Sequence, residues 1–100
     1  MRLEKTERED KALKDAITLW GVTAQVGMVM EECGELLTAL NRFDRGRASA
    51  KDVAEEIADV QILMGQMAKV FGEELVDNFM DEKVNRLIVR IEKSQSLKEG

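Results

Sequence analysis

Two long stretches with helical periodicity, about Val22 or Thr23 to Phe43 and about Ala50 to Phe71, are separated only by Asp44-Arg45-Gly46-Arg47-Ala48-Ser49. A connection this short leaves consecutive helices side by side and antiparallel. In the first stretch Val22, Val26, Val29, Cys33, Leu36, Leu37, Leu40 and Phe43 form an apolar stripe. In the second, Val53, Ile57, Val60, Met64 and Met67 form another, widened by Ile62, Leu63, Ala68, Val70 and Phe71. Gly46 supplies the break, and Ser49 suits the N-cap of the second helix, with Asp52 as a weaker substitute for the Glu or Gln of a capping box. A helix apolar nearly all round must be covered on several faces, so in a chain of 100 residues a partner subunit is expected over one of them.

Shorter signals flank this pair. Residues 1–10 are almost all polar and read as a frayed lead-in. Ala12, Leu13, Ala16, Ile17 and Trp20 recur at helical steps over about Lys11 to Trp20, with Gly21 as a stop and Thr23 as a cap for the next helix. Gly72 closes the third helix. A fourth opens at Glu73 or Glu74 and reaches Ile91 or beyond, with Leu75, Phe79, Val84, Leu87, Ile88 and Ile91 facing inward and Glu92 to Gly100 fraying. Proline is absent, and good helix formers dominate. The expected fold is all-α: one domain, a four-helix bundle with two long antiparallel central helices, completed by dimerisation. Aromatics are limited to Trp20, Phe43, Phe71 and Phe79, so aliphatic residues and six methionines build the core; Met28, Met30, Met64 and Met67 read as packing.

A net charge of −5 disfavours a nucleic-acid polymer as partner. No apolar run approaches a membrane span and no signal-peptide pattern is visible, so a cytoplasmic protein is expected. Cys33, the lone cysteine, excludes an intramolecular disulfide and reads as a small buried hydrophobe. With no histidine in the chain, imidazole catalysis and the usual zinc sites are excluded, and any metal must be held by oxygen.

Acidic clusters interrupt both long apolar stretches: Glu31-Glu32-Cys33-Gly34-Glu35 and Glu55-Glu56-Ile57-Ala58-Asp59. Glu32 and Glu35 are three apart, as are Glu56 and Asp59, so each pair projects side by side from its helix. Glu56 fills an apolar slot in the series Val53, Glu56, Val60, Leu63, Met67, and Glu32 does so in Val29, Glu32, Leu36, Phe43. Two antiparallel helices can point these four carboxylates into one gap, where mutual repulsion raises their pKa values unless a divalent cation sits among them. A solvated acidic face, or ion pairs with Arg and Lys, is the competing reading of the pattern.

Glu31-Glu32-x-x-Glu35, followed after 20 intervening residues by Glu56-x-x-Asp59, resembles the signature of the MazG-type all-α nucleoside triphosphate pyrophosphohydrolases. Trp20-Gly21, Gln25, Glu35-Leu36, the run Glu56 to Val60, and Lys83 with Arg86 extend the similarity over roughly Ala12 to Ile91. The resemblance implies Mg²⁺-dependent hydrolysis of a (d)NTP to (d)NMP and pyrophosphate, with Mn²⁺ as a substitute and a role in clearing unwanted nucleotides. It implies Glu32, Glu35, Glu56 and Asp59 as metal ligands, and Glu31 as a supporting acid or a positioner of the attacking water. Glu55 has no assigned part and reads as exposed. Cations are needed to bridge carboxylates and triphosphate, to polarise phosphoryl oxygens and to acidify a water. A homodimer or homotetramer is implied.

On the fourth helix, Lys83 and Arg86 are the candidates for substrate phosphate, with Asn85 behind them; the competing reading makes them exposed partners of Asp81 and Glu82. Gln25 is a candidate for reading a base edge, against a plain helix-surface role. Trp20 reads as a core or interface anchor, and Arg45 and Arg47 as solvated.

Overall fold

The computed structural model describes residues 6–99, and these form four helices and no strand: α1 (Glu7–Trp20), α2 (Val22–Asp44), α3 (Ala50–Phe71) and α4 (Glu73–Glu99). They fall into two compact units, the first ending at Val70 and the second beginning at Phe71. None of the helices is long and apolar enough to cross a membrane.

In the first unit, α1 starts earlier than its apolar periodicity indicates. Thr6 Oγ1 accepts the Glu9 amide at 3.2 Å, and Glu7, Glu9 and Asp10 occupy the first turn, where the helix dipole favours negative charge. Residues 6–10 are therefore capped helix rather than a frayed lead-in; the rest of that expectation, residues 1–5, lies outside the described residues. Gly21, at φ 90°, ends α1 and occupies the N-cap position of α2 without a side-chain cap, so Thr23 does not serve as one.

The hairpin α2–α3 turns through a Schellman motif followed by a capping box. Gly46, at φ 71°, takes the left-handed conformation that lets Arg47 N–H return to Arg42 C=O at 2.7 Å and Gly46 N–H to Phe43 C=O at 3.0 Å. Ser49 then caps α3: its Oγ accepts the Asp52 amide at 3.2 Å, while Asp52 Oδ2 accepts the Ser49 amide at 2.8 Å and the Ser49 hydroxyl at 3.0 Å. These bonds hold the Asp52 carboxyl below its ordinary pKa of 3.8.

Between α2 and α3 the seam is narrower than the apolar stripes. Gln25, Val29, Glu32, Leu36 and Ala39 on α2, and Val53, Glu56, Val60, Leu63, Gln66, Met67 and Val70 on α3, are buried or half-buried. Their three- and four-residue steps are those of a two-helix seam. Leu37, Leu40, Phe43, Ile57 and Met64 belong to the same stripes but are exposed, as are Met28 and Met30. Cys33 is half-buried. Helix α1 packs on α3: Leu13 lies over Gly65, where an added Cβ would stand 2.9 Å from Leu13 Cδ1, and Lys69 is hydrogen-bonded to Asp10. A Cβ at 65 would have to shift the tip of the Leu13 side chain, and a larger side chain would displace it.

The second unit consists chiefly of α4, which runs unbroken to Glu99; the fraying expected from Glu92 onward does not occur among the described residues. No residue of α4 is buried, so the inward positions expected for Leu75, Phe79, Val84, Leu87, Ile88 and Ile91 are all exposed. Their helical spacing is real, but α4 has nothing within its own unit to cover the stripe.

Candidate metal centre in the α2–α3 seam

The register of the hairpin is marked by a polar pair. Gln25 Nε2 donates to Gln66 Oε1 at 2.6 Å, and both residues are only 5% exposed. One heptad further along α2 stands Glu32, and one heptad back along α3 stands Asp59. Three residues beyond these are Glu35 and Glu56. Once Gln25 and Gln66 are level, antiparallel helices place the carboxylates level too.

The side chains follow that register. Glu32, Glu35 and Glu56 each offer one carboxylate oxygen, and these oxygens lie within 4.8 Å of one another. Glu32 and Glu56 occupy seam positions and are half-buried, whereas Glu35 stands exposed at the rim. Asp59 is exposed and outside the close trio, but its charge acts on Glu32. Glu31 and Glu55 are exposed.

Two atoms distinguish this cluster from a solvated acidic face. Glu32 Oε2 and Glu56 Oε2 are shielded from solvent and have no hydrogen-bond partner. Among the described residues, none of Glu32, Glu35, Glu56 and Asp59 is in an ion pair; the pairs present are Lys11–Asp15, Lys14–Asp10 and Lys69–Asp10. Shielding a carboxylate oxygen without a partner is unfavourable. Burial, and then the charges of Glu35, Asp59 and Glu56, raise the Glu32 pKa above its ordinary 4.5. The donor set is all carboxylate oxygen, which suits a hard divalent cation such as Mg²⁺ or Mn²⁺. By that test the residues fit a metal.

Gln25, the candidate for reading a base edge, does not have the helix-surface position of the competing reading either: it is buried, and its amide Nε2 donates to Gln66. No local pattern signals this, because the partner lies 41 residues away. Trp20, expected as a core or interface anchor, is 62% exposed in this chain. Lys83, Asn85 and Arg86 are exposed on α4 in the second unit, and Lys83 and Arg86 make no ion pair with Asp81, Glu82 or any other described residue. Arg45 and Arg47 are exposed, as expected. The cleft they line with Arg42 was not anticipated: about 460 Å³, bounded by Thr38, Asn41, Arg42, Arg45 and Arg47.

Compared with known proteins, the chain matches no family model, no curated protein and no solved structure.

Proposed function

We propose that this chain is a Mg²⁺-dependent nucleoside triphosphate pyrophosphohydrolase of the MazG-like kind that its acidic motifs resemble, converting a (d)NTP and water to (d)NMP and pyrophosphate. The observation that carries the reading is the pair of shielded, unpartnered oxygens on Glu32 and Glu56, set with Glu35 in one close trio. A protein gains no stability from such a cluster, so its placement in the seam answers to a ligand.

Glu32, Glu35 and Glu56 would hold the ion, with Asp59 completing the negative field from the next turn of α3. Bound there, Mg²⁺ supplies charge neutralisation, polarisation of phosphoryl oxygens and an acidified water. The protein's own part is positional. The Gln25–Gln66 pair levels the two helices, and we read Gln25 as a register residue rather than a reader of the base. The resemblance gives Glu31, exposed beside Glu32, the part of accepting a proton from water or orienting it. The resemblance alone makes Lys83 and Arg86, exposed on α4, candidates for phosphate.

The protein acts as a homodimer or homotetramer, in which a helical bundle is completed between copies. The exposed apolar residues Ile57, Ile62, Met64, Phe79, Leu87 and Ile91 support this reading. They also favour a second one, a non-catalytic helical interaction module whose acids are incidental. Hydrolysis assays separate the two. The enzyme reading requires Mg²⁺-dependent release of pyrophosphate that falls at least about a hundredfold in Glu35→Gln and Asp59→Asn. Full activity in both variants, or none in wild type on any nucleotide, leaves the interaction module.

A further inference from the structure

We infer that Arg42 and Arg47, assisted by Arg45, form an anion subsite at the α2–α3 turn that takes the part of a phosphate chain not held by the cation. The inference rests on the reading of the seam carboxylates as a metal site and extends it to the substrate's phosphates.

The turn brings these residues together through its backbone. Arg42 C=O accepts both the Arg45 amide at 3.1 Å and the Arg47 amide at 2.7 Å, so three guanidinium-bearing residues surround one closed loop. Their side chains line the cleft of about 460 Å³ together with Thr38 and Asn41. Thr38 Oγ1 donates to Gly34 C=O at 3.0 Å, so the free donors of the cleft are the guanidiniums and the Asn41 amide. None of the three arginines is in an ion pair among the described residues. Attraction to the negative end of the α2 dipole accounts for a basic residue in the last turn, but not for three lining one cleft in a chain of net charge −5.

The cleft is continuous with the carboxylates. A second depression of about 410 Å³ shares Thr38, Arg42 and Arg47 with the first and reaches Glu35 and Glu56. Asp52, also on its wall, is already engaged by Ser49. One surface therefore runs from a cation-holding end to a guanidinium end. A ligand that matches both carries several linked phosphates: its oxygens bridge to the cation at one end and accept paired N–H groups from arginine at the other.

The test is pyrophosphate binding by the full chain, measured calorimetrically with Mg²⁺ present, for wild type, Arg42→Gln/Arg47→Gln and Glu56→Gln. Mn²⁺ binding, followed by its paramagnetic resonance signal, is measured in parallel. The inference expects the double arginine variant to bind pyrophosphate roughly tenfold to a hundredfold more weakly while its Mn²⁺ affinity stays within about twofold of wild type. Lysine at both positions should restore part of the loss, because charge remains but the paired donors do not. Wild-type pyrophosphate affinity in the double arginine variant, or no pyrophosphate binding by wild type, overturns the subsite. If the arginine variant loses pyrophosphate while Glu56→Gln retains both Mn²⁺ and pyrophosphate, the anion subsite stands and the metal-site reading fails.

Discussion

Gln25 and Gln66 share a 2.6 Å hydrogen bond across the buried seam of α2 and α3, one heptad from Glu32 and Asp59. A buried amide pair adds little net stability over an apolar pair of the same shape, but losing one partner strands the other. The pair therefore selects a register, and that register aligns the acidic turns.

Replacing one glutamine should cost more than replacing both. Gln25→Leu or Gln66→Leu is expected to destabilise by about 1–3 kcal/mol through the stranded amide, and the double variant by less than either single. Urea unfolding of the four proteins measures the coupling. Simple additivity would show that the bond does not link the two sites.

Close approach at Gly65 makes a second prediction. Gly65→Leu should push Leu13 off α3 and cost about 1–3 kcal/mol, and Leu13→Ala in the same chain should recover part of that loss. Thermal unfolding of both variants reads the difference.

At the start of α3, Ser49→Ala removes the hydroxyl that caps the Asp52 amide. The expected loss is about 0.5–2 kcal/mol, measurable by chemical denaturation. Asp52→Glu should keep most of the stability, since a longer carboxylate can also reach back to the Ser49 amide.

The pH dependence of the metal-free protein has two opposing limbs. Glu32 has a raised folded-state pKa, so its contribution is fully present below 4.5 and is lost as pH rises through the higher folded value. Asp10, held down first by the hydrogen bond from Lys69 and then by that from Lys14, has a lowered one. Its contribution, like that of Asp52, is present above 3.8 and is lost as pH falls through the lower folded value. Thermal melts across this range should show Glu32→Gln flattening the upper limb while leaving the acid limb in place. In metal-free buffer near neutrality Glu32→Gln should melt above wild type, and adding Mg²⁺ should raise wild type but not the variant.

How far these features are legible in the sequence depends on how local each cause is. Glu32 and Glu56 stand at apolar slots of a three-and-four spacing, and those slots are the seam, so the half-burial of both acids is legible. The Ser49–Asp52 cap is legible for the same reason, because its partners are three residues apart. The hidden parts depend on distant contacts. Residues 7–10 look like a solvated lead-in until Asp10 meets Lys69, 59 positions away. Leu37, Phe43 and Ile57 look like core because a stripe records hydrophobicity, while the two-helix seam admits only its central rows. The arginine cleft is hidden because the turn, not a helical spacing, assembles it.

A pyrophosphohydrolase is distinguished from other nucleotide hydrolases, and from a binding module, by its products. These should be identified after incubation of the chain with a panel of canonical and modified (d)NTPs and Mg²⁺. The expected result is (d)NMP and pyrophosphate in equal amounts from at least one nucleotide, and no turnover when the cation is chelated. Release of single orthophosphate with (d)NDP, turnover that survives chelation, or no product from any nucleotide would contradict the proposed activity.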